Sequence, residues 1–138
     1  MGRLIWIGLG GALGTLARYG VGVWSQERFG AAFPFGTLIV NLVGSFLLGA
    51  IMQLSLSTDL VGPTVRLTLG TGVMGGFTTY STFNYETLKF FQDRAWLAGA
   101  LNVAVTLAGC LVGGLLGVAL ASYAAAALGL GAAKRLVE

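Results

Sequence analysis

Long apolar stretches alternate with short polar connections along this chain, and few polar positions interrupt the apolar stretches. A membrane-spanning helix needs about 20 mostly apolar residues. Four stretches have that length and predict four transmembrane helices, and the short connections Ser25–Ala32 and Ser57–Gly62 make neighbouring helices antiparallel. The predicted spans are Leu4–Trp24, Phe35–Leu56, Thr64–Gln92 and Trp96–Tyr123, with the tail Ala124–Ala133 as an extension of the last.

The composition agrees with a protein whose surface faces lipid. Hydrophobic residues make up 56% of the 138 residues and charged residues 9%, whereas a soluble domain carries about 25% charge. We therefore predict one all-α integral membrane domain, residues 1–138. The net charge of +3 comes from eight basic and five acidic residues placed singly, so no basic stripe supports nucleic-acid binding.

The scarcity of histidine and cysteine argues against an enzyme. The sequence has no histidine and a single cysteine, Cys110, inside an apolar stretch. The commonest general base and the usual zinc ligands are therefore missing. No nucleophile and base can be paired from the remaining residues, so catalysis is not expected.

Many of the 23 glycines recur at intervals of four residues, as at Gly10 and Gly14 and at Gly109, Gly113 and Gly117. Helices in lipid associate by close backbone approach, which small residues permit. These glycines therefore predict helix-packing faces. A phosphate-binding loop is the alternative for Gly8–Leu13, but the third glycine is out of register and no strand precedes it.

Positive charges are balanced between the two predicted sides of the membrane, so the positive-inside rule gives no preferred orientation. Either the chain has too few charges to show a bias, or it inserts both ways and pairs antiparallel. Four helices pack around their own side chains and leave no aqueous lumen, so any conduction path uses a partner chain. The side that holds the termini carries Arg3, Arg66, Lys134 and Arg135, and the other carries Arg18, Arg28, Lys89 and Arg94.

The third predicted span contains a helix-breaking sequence. Gly75 and Gly76 are followed by the β-branched Thr78 and Thr79, which predicts a break near Gly75–Thr79, close to mid-membrane. Carbonyls freed by a break cannot remain bare in lipid. Two interpretations stay open: the carbonyls of Gly75 and Thr78 bind a hard cation such as Na⁺, or threonine hydroxyls satisfy a packing kink.

Polar and aromatic side chains follow on the same span and its neighbour. Tyr80 and Phe83 share a helix face, and their ring edges can solvate an anion weakly or simply pack. Thr37 and Asn41 lie four residues apart on the second span. Asn41 offers N–H donors to an anion, or makes an interhelical hydrogen bond.

The remaining polar positions also allow two uses each. Arg18 can snorkel to the interface or attract an entering anion. Glu86 can gate, pair with Arg18 or Lys89, or reach the interface. Because donors outnumber acids along these faces, the predicted permeant is an anion. Hydroxyls at Ser81 and Thr82, and the stripe of Asn102, Thr106 and Cys110, complete this set.

Three stretches together resemble the Fluc/CrcB fluoride channels, and the fourth span agrees in length and in its polar stripe. The stretches are Gly11-Ala12-x-Gly14-x-x-x-Arg18-Tyr19, Phe33-Pro34-x-Gly36-Thr37-Leu38-x-Val40-Asn41-x-x-Gly44 and Gly75-Gly76-Phe77-Thr78-Thr79-Tyr80-Ser81-Thr82-Phe83. The resemblance implies passive, selective fluoride export across the bacterial plasma (inner) membrane and fluoride resistance. It also implies a dual-topology antiparallel homodimer with a central structural Na⁺ at the interface.

By motif position, the resemblance assigns roles to individual residues. The Na⁺ ligands are main-chain carbonyls of Gly75 and Thr78. The fluoride pathway comprises Asn41, Tyr80, Phe83, Ser81, Thr82, Thr37, Glu86, Thr106 and, at the vestibule, Arg18.

Two positions depart from that family pattern. The first pore aromatic is normally Phe but is Tyr80 here, which predicts slower throughput with selectivity retained. Cys110 stands where a hydroxyl side chain would be a better donor, so a functional role for it is doubtful.

Two other classes of protein fit four helices with a weak charge bias. A proton-coupled multidrug exporter needs an acid deep in an early helix, and Leu4–Trp24 contains none. A membrane scaffold would use its polar residues only to lock helices together. Electrogenic fluoride flux without proton coupling distinguishes the channel from both.

Overall fold

The computed structural model of this chain describes residues 1–130, and within them it contains helices and no strand. The predicted charges Lys134 and Arg135, and the last residues of the predicted tail, lie outside the described residues. The helices are α1 (Gly2–Phe29), α2 (Phe35–Ser57), α3 (Pro63–Arg66), α4 (Gly75–Phe77), α5 (Tyr80–Gln92) and α6 (Trp96–Ala127), with a π-helical segment, Leu67–Met74, between α3 and α4.

Within residues 1–130, three helices are long and apolar enough to cross a membrane, namely α1, α2 and α6. The prediction that Ser25–Ala32 is a connecting piece is wrong in part, because α1 continues to Phe29 and the turn begins at Gly30. Gly30 has a φ of 75°, a left-handed conformation that glycine adopts without steric cost. Four crossings of a bilayer stay a prediction, because the third region is divided.

The third region consists of shorter helical pieces rather than one helix. α3 begins with Pro63, the π-helical segment follows it directly, and α4 ends at Phe77. Thr78 and Thr79 are extended, with φ and ψ of −81° and 158° and of −152° and 112°. This interruption lies inside the range Gly75–Thr79 that the sequence indicates, whereas the π-helical segment has no counterpart in the sequence reasoning.

Glycines of α1 bring that helix against the backbone of the third region. A Cβ on Gly14 would collide with the carbonyl oxygen of Val73, and one on Gly10 would lie 2.7 Å from that of Thr68. On the other side, a Cβ on Gly76 would collide with the carbonyl of Gly11. The predicted packing role of Gly10 and Gly14 is confirmed, and α1 thereby supports the broken region along its length.

α2 packs along α6, and glycines again allow the two backbones to approach closely. A Cβ on Gly117 would collide with the carbonyl of Phe46, one on Gly113 would lie 3.2 Å from that of Leu42, and one on Gly109 would lie 2.6 Å from the Leu42 side chain. α2 also approaches the break, because a Cβ on Gly44 would collide with the methyl group of Thr78. The break is therefore held between α1 and α2.

Large apolar side chains are exposed and several polar ones are buried, a distribution typical of a protein that faces lipid. Leu97, Leu111 and Leu115 of α6 are 74%, 70% and 69% exposed, whereas Asn102 on the same helix is 1% exposed. Among residues 1–130, six hydrophobic side chains are buried and so are six polar ones, so the interior contains an unusually large share of polar groups. Polar groups inside a lipid-facing protein need defined partners, and one of these buried polar residues, Asn41, has its partner at the break.

Candidate functional site

The carboxamide of Asn41 pairs with the backbone of Thr79 at the break. Its Oδ1 accepts the Thr79 amide at 2.8 Å, and its Nδ2 donates to the Thr79 carbonyl at 3.0 Å. In a continuous α-helix the Thr79 amide would instead bond the carbonyl of Gly75. The Gly75 carbonyl therefore loses its helical donor to Asn41.

Thr79 also caps the helix that follows it. Its Oγ1 accepts the Thr82 amide at 3.2 Å and donates to the Thr82 hydroxyl at 2.9 Å. A continuous helix would direct the Thr82 amide to the carbonyl of Thr78, so this carbonyl also loses its helical donor. Sequence reasoning missed Thr79 as a functional residue, although a threonine directly before a helix is a common N-cap.

Arg18 reaches the break from α1. Its Nε donates to the carbonyl of Gly76 at 3.0 Å, and the side chain is partly buried. This carbonyl is the one that the Tyr80 amide would bond in a continuous helix. The structure gives Arg18 a contact that neither sequence interpretation included, since its guanidinium replaces a backbone donor at the break.

Threonine hydroxyls contribute less to the break than the kink interpretation supposes. The Thr78 hydroxyl donates to the Met74 carbonyl at 3.0 Å, but that carbonyl already accepts the Thr78 amide at 3.0 Å. The hydroxyl therefore adds a second bond to a satisfied group. The carbonyls of Gly75 and Thr78 gain nothing from it.

One side of the break opens into a cavity of about 720 Å³, which we call the polar cavity. In it the Thr37 hydroxyl donates to Glu86 Oε1 at 2.8 Å. The other carboxylate oxygen, Oε2, is buried and has no hydrogen-bond partner among residues 1–130. The structure thus pairs Glu86 with Thr37 rather than with Arg18 or Lys89. The polar lining comprises Arg18, Tyr19, Ser25, Gln26, Thr37, Thr79, Thr82, Tyr85, Glu86, Lys89 and Asp93.

The other side opens into a cavity of about 400 Å³, which we call the aromatic cavity. The rings of Tyr80 and Phe83 lie at its wall with their centroids 5.7 Å apart and their planes tilted by 54°. Tyr80 is 74% exposed and Phe83 5%. Thr106 is 5% exposed, and its hydroxyl has no hydrogen-bond partner among residues 1–130. The lining also includes Asn41, Thr78 and Cys110.

The two cavities meet at the Asn41–Thr79 pair, because Thr79 lines the polar cavity and Asn41 lines the aromatic cavity. Most of the residues named from the sequence lie in one cavity or the other. Ser81 lies in neither: it is exposed, and its hydroxyl is 3.4 Å from that of Thr79. Gly75 also lines neither cavity and is exposed. Asn102 donates to the Thr87 hydroxyl, a pairing that the sequence did not indicate.

Within residues 1–130, these features define a class of protein: a helical membrane protein whose interrupted third region lies between a polar and an aromatic cavity. Comparison with known proteins identifies the family. The sequence model of the family described as "CrcB-like protein, Camphor Resistance (CrcB)" matches residues 5–118. The chain belongs to the CrcB family.

Curated relatives align over more than four fifths of the chain. A protein of Sorangium cellulosum (strain So ce56), named "Fluoride-specific ion channel FluC", is 60% identical over 121 residues, covering 88% of this chain and 95% of the relative. A protein of the same name from Anaeromyxobacter sp. (strain K) is 53% identical and covers 81% of this chain and 89% of its own. A third, from Geotalea daltonii (strain DSM 22248 / JCM 15807 / FRC-32), is 46% identical, with coverages of 89% and 99%.

Proposed function

We propose that this chain forms a passive fluoride channel in the bacterial plasma membrane and lowers cytoplasmic fluoride. The observation that carries the proposal is the pair of cavities that meet at Asn41 and Thr79. Family membership and the curated name of the relatives support the choice of fluoride as the ion. The family is one of ion channels, so no catalytic residue is assigned.

The polar cavity serves as the vestibule of the channel. Arg18 and Lys89 lie at its wall, and the hydroxyls of Thr37 and Thr82 supply donors that can replace part of the hydration shell of a small anion. Glu86 lies among these donors with one oxygen on Thr37. An anion that takes the Thr37 hydroxyl would have to displace Glu86, which makes this contact the entrance step of the route.

The aromatic cavity carries the ion through the narrow part of the route. Ring edges carry partial positive charge, so Tyr80 and Phe83 can stabilise an anion that has lost water. The hydroxyl of Thr106, which has no hydrogen-bond partner among residues 1–130, supplies a donor in the same cavity. One proton of the Asn41 carboxamide is held by Thr79, which leaves its second N–H for the ion. Ser81 lies outside both cavities in one protomer and would reach the route only in the assembled dimer.

The channel requires a second copy of the chain in antiparallel orientation. Tyr80 is 74% exposed although it is a pore residue, so in one protomer the aromatic cavity is an open groove. A second copy would close this groove. Inverted pairing agrees with the balanced positive charges and creates two equivalent routes per dimer. The remaining apolar surface faces the lipid.

A central Na⁺ fits the chemistry of the break. The carbonyls of Gly75 and Thr78 are the two whose helical donors are given to Asn41 and to Thr79, so both are available as hard oxygen ligands. Space beyond Gly75 is open, since a Cβ there would meet no atom within 4 Å. Two copies facing each other would contribute four carbonyls. Bound Na⁺ would supply positive charge that neutralises them in lipid.

Fluoride efflux from liposomes that contain the purified protein tests the proposal. Efflux should be electrogenic, independent of a proton gradient and insensitive to chloride. Coupling to protons would instead support a four-helix exporter, and protein that incorporates but gives no flux would support a scaffold. Cross-linking of single-cysteine variants in the membrane should trap antiparallel pairs only, and parallel pairs would contradict the assembly.

A further inference from the structure

A series of two hydrogen bonds joins α6 to Phe83, which lies at the wall of the aromatic cavity. Asn102 Nδ2 donates to the Thr87 hydroxyl at 2.9 Å, and this hydroxyl donates to the carbonyl of Phe83 at 2.8 Å. Asn102 is 1% exposed and Thr87 6%. The Thr87 hydroxyl can therefore bond the Phe83 carbonyl and accept from Asn102 in one geometry only, which fixes its rotamer.

This series of hydrogen bonds ends at Phe83, the buried member of the Tyr80–Phe83 pair. Phe83 lies one helical turn before Thr87 on α5, and its ring lies 5.7 Å from that of Tyr80. α4 and α5 are not joined by continuous helix, because Thr78 and Thr79 are extended. The rotation of α5 about its own axis is therefore set by its tertiary contacts, which on the α2 side are the bonds of Asn41 to Thr79 and of Thr37 to Glu86. Asn102 to Thr87 is the side-chain hydrogen bond that joins α5 to α6 within residues 1–130.

One face of α6 contacts both α5 and the aromatic cavity. Asn102 and Thr106 lie four residues apart and so point to the same side of α6. Asn102 bonds α5, while Thr106 lines the aromatic cavity together with Phe83. Any rotation of α5 relative to Asn102 would change the distance between the Phe83 ring and the Thr106 hydroxyl.

We infer that Asn102 and Thr87 are positioning residues that set the rotation of α5 and hold the Tyr80–Phe83 pair opposite Thr106. This inference rests on the proposed fluoride channel. Neither residue touches the ion. A loss of the hydrogen bond should therefore change ion discrimination through the geometry of the aromatic wall and not through a lost ligand.

The test compares matched variants in liposomes, with fluoride and chloride efflux measured on the same preparations. Thr87→Val removes the hydroxyl at almost constant volume, and Thr87→Ser keeps it. We expect Thr87→Val and Asn102→Leu each to lower the ratio of fluoride to chloride efflux by at least about fivefold, the factor that corresponds to about 1 kcal/mol. Thr87→Ser should retain the wild-type ratio. The double variant should lose no more than either single variant.

Ser122→Ala serves as the control, because Ser122 lies on α6 and bonds only the carbonyl of Val118 in its own helix. If Thr87→Val does not give folded, monodisperse protein, Thr87→Ala and Asn102→Ala take its place. They remove the hydrogen bond without adding bulk, and the ratio of fluoride to chloride efflux is measured for them in the same way. A lowered melting temperature with an unchanged ratio, or additive losses in the double variant, would overturn the inference while the channel stands. Wild-type protein without fluoride flux would overturn both.

Discussion

The side-chain carboxamide of Asn41 makes the two hydrogen bonds to Thr79 that helix backbone groups would make in an unbroken helix. It accepts the Thr79 amide at 2.8 Å and donates to the Thr79 carbonyl at 3.0 Å, as a peptide group would do. Since Asn41 is 8% exposed, water does not offer an equal alternative to either bond. The break is therefore part of the tertiary structure, and α2 determines its geometry.

Replacement of Asn41 by leucine should destabilise the protein and stop conduction. Asn41→Leu has nearly the same volume but leaves the Thr79 amide without its acceptor. An unsatisfied buried donor costs about 1–3 kcal/mol. We expect a loss of that size in the free energy of unfolding, measured by denaturant titration in detergent micelles. Asn84→Leu, at an exposed position on α5, is the control. Equal stabilities of the two variants would refute this role of Asn41.

The location of the break could be predicted from the sequence because its signals are local. Gly75, Gly76 and the following threonines all have low helix propensity, and they are adjacent. The partner of the break could not be predicted in the same way. Asn41 lies 38 positions before Thr79, and Arg18 lies 58 positions before Gly76. Such pairings depend on how helices pack, and a pattern within one helix carries no information about them.

The candidate site shows the same division. Thr37 and Glu86 were each identified as polar residues in apolar spans, but their hydrogen bond crosses from α2 to α5. Charge suggested Arg18 or Lys89 as possible partners of Glu86, beside the alternatives that it gates or reaches the interface. The roles of Ser81, Gly75 and Thr78 depend on a second copy of the chain and on a bound ion, and these roles stay predictions.

Addition of a single methyl group at Gly14 should weaken the contact between α1 and the π-helical segment. A Cβ at this position collides with the carbonyl of Val73, a backbone atom that cannot move aside. Overpacking of this kind typically costs about 1–3 kcal/mol, so Gly14→Ala should lower the free energy of unfolding by that amount. Gly20→Ala, on the same helix with open space around its Cα, should leave it unchanged or raise it. A stable Gly14→Ala protein would show that α1 does not pack as described.

Removal of the Tyr80 hydroxyl should raise the rate of fluoride efflux. In the proposed channel this hydroxyl competes for the ion and adds bulk to the aromatic cavity. A single hydrogen bond contributes about 0.5–1.5 kcal/mol, so Tyr80→Phe should speed efflux by about two- to tenfold with chloride still excluded. Tyr123→Phe, an equally exposed tyrosine at 73%, is the control on α6. An unchanged or slower rate for Tyr80→Phe would contradict the prediction.

Loss of the Arg18 guanidinium should impair conduction through a direct hydrogen bond, so raising the salt concentration should not remove the defect. If Arg18 acted only by attracting anions, the defect of Arg18→Gln would shrink as ionic strength rises, because the Debye length falls from about 10 Å at 0.1 M salt to about 3 Å at 1 M. The 3.0 Å bond to Gly76 indicates a local role instead. A charge-assisted hydrogen bond contributes about 1.5–3 kcal/mol.

We therefore expect Arg18→Gln to reduce fluoride efflux by a factor that is the same at low and at high ionic strength. Arg28→Gln removes an exposed charge in the last turn of α1, away from the break, and serves as the control. Because its charge can act only at a distance, any small defect that it shows should disappear in high salt. If the Arg18→Gln defect also disappeared in high salt, the Gly76 contact would have no part in conduction, and Arg18 would act as an electrostatic guide alone.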